Sequence, residues 1–436
     1  MRGGVRGGTA VLTNPENTFS GTFYLGYASG TNQNGVFRFD SAGASGTARC
    51  YTNGGSNKNA IRQFQFNAEG ATFHNNFEMG QASGGSGFEY APFKFMKSCT
   101  LAGTIVSALS GGGKRNEKTI TIIDDPNERP TVSFLGDIEV GKYFSPVPTG
   151  TFKMYGALSV PGMLLIDVTN ELGTVELYNP SNAITQVNLG YTNLKLMAPD
   201  VLTNSVIQLS TTRNMVQEGV ANLYLYADQH IRAFTRTTSW YQVGPAAVIR
   251  AGGTASPTLA FDGHAENSEA NRCRFAFDGP LSLVKTGVGI QDFDYRTSTM
   301  TGEITVSNGT LRISSVAKFP NVSAVNVEGG LLDLGDSSTT GCFADAQRLS
   351  VANGAQFLIG ASVKTSFTNL QSVVIGSTGK IESTGAVNQT IETENLEIGG
   401  KTLLKGLYTS ATHPGNIGEG ITIKCNNKGG LILIFR

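Results

Sequence analysis

Five cysteines, four histidines and a few clustered acids are the residues through which this 436-residue chain could do chemistry. Cys50, Cys99, Cys273, Cys342 and Cys425 are far apart, odd in number and never in a Cys-x-x-Cys arrangement. A disulfide framework is denser and even-numbered, so the spacing predicts single buried thiols. His74, His230, His264 and His413 are equally scattered, and no pair has the spacing of a zinc site. Asp124 and Asp125 are neighbours, which on a strand would send them to opposite faces. They lead into Pro126 in the charged run DDPNERP, so a solvated turn is expected there. The run DGHAE, from Asp262 to Glu266, sets His264 among acids and is the one acid–base candidate.

The motifs that would turn these residues into a site are missing. Glycoside hydrolysis takes two placed carboxyl groups. The Asn-x-Asp, Asp-Asp and Arg-x-Lys elements that accompany such a histidine in polygalacturonases do not surround His264. The stretch Gly80-Gln81-Ala82-Ser83-Gly84 misses the Gly-x-Ser-x-Gly elbow of serine hydrolases, and Gly84 to Gly87 reads as a linker. No phosphate loop, dinucleotide fingerprint or calcium-binding acid cluster stands out. The sequence therefore nominates no catalytic, cofactor-binding or metal-binding residue.

The elements that would position any such group are legible in the composition. Glycines number 55, and only 15% of residues are charged against a usual ~25%. Lys and Arg together number 33, as do Asp and Glu, so the formal net charge is zero. That balance leaves no electrostatic footprint for nucleic acid or for anionic lipid. No apolar run reaches the ~20 residues of a transmembrane helix. The opening MRGGVRGGTAVL lacks the apolar centre of a signal peptide, so an export signal is not expected within this chain.

A repeat organises the C-terminal part. Segments opening at Ile304, Val325, Leu349, Val373 and Leu396 each carry two aliphatics two residues apart, a glycine-bearing bend and further alternating apolar residues. The glycines are Gly309, Gly330, Gly354, Gly379 and Gly400. Period-two alternation means strand. A recurrence of about 23 residues falls in the range of solenoids, whose coils bury their faces only by stacking. A second pattern sets a bulky apolar residue shortly before Gly21, Gly103, Gly136, Gly156 and Gly302, each followed by an alternating strand. The phenylalanines at 64, 66, 73, 77, 93 and 95, often two apart, suit a stacked core better than a sugar platform.

The expectation is one all-β, single-stranded parallel β-helix, a β-solenoid, of roughly 19 coils at about 23 residues each. Residues 1–280 form its irregular part with long loops, and residues 281–436 its regular coils with a closing segment. The runs around 42–60, 81–90 and 110–118 read as exposed loops, and 228–271, which holds Trp240, as a loop subdomain.

The stretch from Leu283 to Ile313 resembles the autotransporter-associated β-strand repeat of secreted passenger domains. The match runs through Leu283, Lys285, Thr286, Gly287 and Gly289, then Gly302, Ile304, Val306, Asn308, Gly309, Thr310 and Leu311. It covers about 31 residues well, with weaker echoes elsewhere, and implies a right-handed parallel β-helix. Ile290-Gln291-Asp292-Phe293 departs from the leucine strand of that repeat. The tail from Gly406 is similar to the closing segment of bacterial surface proteins that lack a translocator barrel. The resemblance implies a bacterial surface or secreted solenoid with a structural or adhesive role, meeting carbohydrate or host-surface ligands through loops such as 228–271 or 42–60. The alternatives are a β-helical polysaccharide lyase or glycoside hydrolase and, more remotely, a trimeric tailspike-like fibre.

Overall fold

The structure, a computed structural model, describes residues 2–4, 8–25, 35–53, 62–80, 90–107, 119–166, 173–190, 192–209, 221–235, 247–265, 272–294, 296–314, 316–334, 341–360, 367–385 and 389–427. The expected loops at 81–89 and 110–118, together with Trp240 and Glu266, lie outside these residues. Within them the chain is all strand and turn, a right-handed parallel β-solenoid of about 12 turns. The count falls below 19 because many coils are longer than 23 residues. Ser98 meets Thr131 across 33 residues, whereas Glu176 meets Lys195 across 19. The chain divides into two compact units, 1–224 with 242–245, and 225–241 with 246–436.

In the first unit a coil has three strands. Arg62–Phe66, Ala71–Phe73 and Phe77–Gly80 make one such coil. Its successor, Tyr90–Phe95, Cys99–Leu101 and Ile105–Ser107, pairs with it strand for strand in parallel. Alternation sends every second residue inward, and parallel pairing lays like on like. Phe37, Phe64 and Phe93 therefore share one row, and Phe39, Phe66 and Phe95 the next. The ring centroids of Phe66 and Phe95 are 4.9 Å apart and stacked. The six phenylalanines expected in the core are all buried, and each full burial is worth about 1.5–3 kcal/mol.

Three glycines of the second pattern, Gly103, Gly136 and Gly156, mark a corner where main chains press together. A Cβ on Gly103 would fall 2.0 Å from the Asn75 carbonyl oxygen, one on Gly136 2.2 Å from that of Gly103, and one on Gly156 2.1 Å from that of Gly136. A column of glycines thus runs through successive coils, because no side chain fits between them. The 42–60 stretch is not an exposed loop where it is described. Ala44, Ser45, Ala48 and Cys50 are buried, and Arg49–Asn53 is a strand. Gly43 permits this packing, its Cβ position being filled by the Pro15 carbonyl.

In the second unit the repeat has the expected register. Leu283, Ile304, Val325, Leu349, Val373 and Leu396 pair in series. Leu311, Leu332, Phe357 and Ile381 do the same on the next strand. Gly309, Gly330, Gly354 and Gly400 hold positive φ, as their bends require. Gly379 is needed for a different reason: a Cβ there would meet the Val351 carbonyl at 2.5 Å. The stretch 228–271 is no loop subdomain where it is described. It supplies the strands Gln229–Ile231, Ala233–Thr235, Val248–Ala251 and Thr258–Phe261. At the far end of this sheet Lys401–Leu403 turns back antiparallel onto Asn395–Ile398. Beside it Gln389–Thr393, Ile421–Cys425 and Gly406–Thr409 form a small mixed sheet.

Candidate functional site

Two clusters in the second unit gather residues able to do chemistry. The first is built on the end of the strand Thr258–Phe261. Gly263, at φ 79, turns the chain so that His264 and Ile290 exchange backbone hydrogen bonds. The His264 ring Nε2 lies 2.6 Å from the Phe234 carbonyl, so that nitrogen carries the proton and the ring is a corner brace. Asp262 accepts from Thr286 Oγ1 at 2.7 Å and meets His230 Nε2 at 3.0 Å. Burial pushes Asp262 up, but the Thr286 hydroxyl, His230 and Lys285 outweigh it and hold the carboxyl below its usual range. A catalytic triad needs its acid and its nucleophile on opposite nitrogens of the imidazole. Here Asp262 and Thr286, 3.5 Å away, approach the same Nε2, so the histidine cannot relay a proton between them.

Lys285 sits below this group on an inward-facing position, in register with Phe261 and Val306. Its ammonium donates to the main-chain carbonyls of Gly287 and Asn308. Burial lowers its pKa to about 8, with Asp262 opposing.

The second cluster lies on the outer face of the strands around Ile290–Asp294. Arg272, Asp292, Arg312 and Asp333 pair in register across four coils, alternating in charge. Arg312 Nε is 2.9 Å from Asp333, and Arg272 Nε 3.4 Å from Asp292. Arg274 reaches Asp294 at 3.4 Å. Although they point outward, the side chains of Asp292 and Asp294 are only 3% and 0% exposed. Burial raises Asp292 to about 6 against the pull of Ser314, Arg272 and Arg312. Sequence reasoning passed over this ladder. Its signal was available once the register was known, since Asp292 and Arg312 fall one residue from inward-facing positions of their strands.

The Asp124–Asp125 pair is divided between two structural jobs. Asp124 is buried rather than solvated, and its carboxylate accepts from the Thr149 amide and hydroxyl and from the Gly150 amide of the following coil. Burial raises its pKa, and these bonds oppose the rise. Asp125 accepts from the Asn127 amide inside the turn. The five cysteines are buried and unbridged. Burial pushes the thiols of Cys99 and Cys342 up to about 12. Among the described residues no three His, Cys, Asp or Glu side chains converge as metal ligands, and no helix is long and apolar enough to cross a membrane.

The architecture defines the chain as a parallel β-solenoid. Comparison with family models, with curated proteins and with solved structures gives no match.

Proposed function

We propose that this chain is a structural or adhesive solenoid of passenger type, carried on a bacterial surface or secreted, whose coils hold binding faces in fixed positions. The observation that carries this reading is the use made of the ionisable groups. Asp292, Asp294 and Asp333 are tied to arginines of adjacent coils, Asp124 to the amides of the next coil, and Lys285 to carbonyls at a corner. A general acid must reach a glycosidic oxygen, and the near-complete burial of Asp292 and Asp294 argues for a stitching role instead. Loops on a rigid scaffold are the natural carriers of binding.

The test is twofold. Purified protein incubated with a panel of neutral and uronate polysaccharides is expected to release no new reducing ends and no unsaturated products. Release that is lost in Asp292→Asn or Asp294→Asn would establish the lyase or hydrolase alternative. Antibody labelling of intact cells of the source organism, with assay of the medium, is expected to find the protein outside the cytoplasm. Recovery from the cytosol alone would overturn the surface reading.

A further inference from the structure

A depression of about 590 Å³ in the first unit lies where one strand crosses a corner without breaking. The strand Leu158–Ile166 pairs with Ala183–Leu189, but the register slips between Val160 and Met163. Pro161 and Gly162 occupy the slip. The amides of Gly162 and Met163 both donate to the Lys142 carbonyl, and a Cβ on Gly162 would sit 2.3 Å from that oxygen. A bulge of this kind re-aims side chains and bends the sheet, which opens the depression beside it.

The opposite wall is Thr203 with Asn204, the end of a turn framed by Asp200 and Asn204. These two residues hold positive φ, at 55° and 65°, and are two of the three non-glycine residues that do so among the described residues. Such backbone conformations persist only where surrounding structure enforces them, and they concentrate at functional positions. Here the enforcement is visible. Val201 and Leu202 are buried beneath the turn, the Ser205 hydroxyl donates to the Ile184 carbonyl at 2.6 Å, and Asn182 donates to the Val201 carbonyl at 3.2 Å. The wall is therefore preorganised, which reduces the entropy lost when a ligand binds.

The lining has a consistent chemistry. Pro161 and Pro180 contribute exposed apolar side chains, and Ser159, Thr185 and Asn204 add hydroxyl and amide groups. These three side chains make no hydrogen bond to the described protein. Among the described residues no charged side chain lines the depression. Its volume falls within the ~300–1,000 Å³ of small-ligand sites.

We infer that this depression is a binding site for a neutral saccharide, with a sugar's C–H face against the prolines and its hydroxyls on Ser159, Thr185 and Asn204. Anionic uronate chains are disfavoured because, among the described residues, no cation lines the depression. The inference rests on the adhesive reading above and gives it a ligand class.

Full-length protein is titrated with maltose, cellobiose, N,N′-diacetylchitobiose and digalacturonate, followed by saturation-transfer NMR and calorimetry. At least one neutral disaccharide is expected to bind, and digalacturonate is not. Thr185→Arg, at an exposed position, is expected to weaken binding tenfold or more with the melting temperature unchanged. Asn204→Gly, which suits the positive φ while removing the amide, is expected to weaken it several-fold. Absence of neutral-sugar binding, equal binding of digalacturonate, or binding indifferent to both substitutions would overturn the site. Cleavage of a bound sugar would overturn the adhesive reading and leave the site standing, whereas no binding and no cleavage would remove the site alone.

Discussion

The ammonium of Lys285 lies inside the solenoid and donates to the main-chain carbonyl of Asn308, 23 residues further along and one coil on, at 3.2 Å. An interior lysine is unusual unless its charge is satisfied. The corner offers two carbonyls, those of Gly287 and Asn308, and the lysine ties them together. This is the physical role of Lys285 in the stretch from Leu283 to Ile313.

The lysine gives the fold a measurable alkaline signature. Below pH 8 the folded and unfolded chains both hold the proton. Between about 8 and ~10.4 the unfolded chain still binds it while the folded one does not, so this group makes stability rise with pH across that window. The thiols of Cys99 and Cys342 act in the opposite sense, because the folded chain retains their protons longer. The difference between the parent and Lys285→Met isolates the lysine. Urea midpoints at pH 7.5, 9 and 10 should diverge in favour of the parent as pH rises, and parallel profiles would show that Lys285 titrates normally.

Asp292 acts on the acid side. Its folded pKa, about 6, lies above the ~3.9 of an unperturbed aspartate, so the folded chain holds the proton longer. The contribution is fully present below about 4 and is lost as pH rises through 6. Asp292→Asn removes this slope. Thermal melts at pH 4, 5, 6 and 7 are expected to give a flatter profile for the variant than for the parent over this range.

The glycine column makes a steric prediction with an internal control. Gly136→Ala would push a methyl group into the Gly103 carbonyl and should cost about 1–3 kcal/mol or more. Gly415→Ala meets nothing within 4 Å and should stay within about 0.5 kcal/mol of the parent. Equal midpoints for the two in chemical denaturation would remove the corner argument.

Phe66 touches the rings of Phe39, Phe73, Phe77, Phe93 and Phe95 and is fully buried. Phe66→Ala should lose about 3–5 kcal/mol, whereas Phe66→Leu keeps much of the volume and should lose less. Calorimetry that found both variants unaffected would mean the aromatic rows are not the core of the first unit.

The five buried thiols should be silent toward a thiol reagent until the chain unfolds, since the reagent cannot reach them, and at Cys50, Cys99, Cys273 and Cys342 burial also suppresses the reactive thiolate. Rapid labelling of the native protein by Ellman's reagent would contradict their placement.

The regular coils were legible because side-chain parity and coil length both repeat, so Ile304, Val325, Leu349, Val373 and Leu396 could be aligned by eye and are paired in the fold. The column at Gly103, Gly136 and Gly156 was visible as a pattern, but its cause, a carbonyl where each Cβ would be, needs the third dimension. The burial of Ala44, Ser45, Ala48 and Cys50 was hidden because small residues serve a tight interior turn as well as an open loop. The candidate clusters were legible only in part. His264 drew attention for its acidic neighbours, yet its partner is the Phe234 carbonyl, 30 residues earlier in sequence. The alternating Arg272–Asp292–Arg312–Asp333 row depends on a register that single residues do not announce. The depression beside Pro161 depends on a one-residue slip whose local signal, Pro161-Gly162 inside an apolar run, marks a bulge without showing what it faces.

The antiparallel return of Lys401–Leu403 onto Asn395–Ile398 has a colloidal consequence. A parallel sheet that simply stopped would offer a row of bare amides and carbonyls as a template for another molecule's strand, the first step toward fibrils. By folding back, the chain occupies that template with its own backbone, in a segment where Lys401 and Thr402 are exposed. The edge that remains is only three residues long and carries an exposed lysine, two features that discourage another molecule's strand from pairing there.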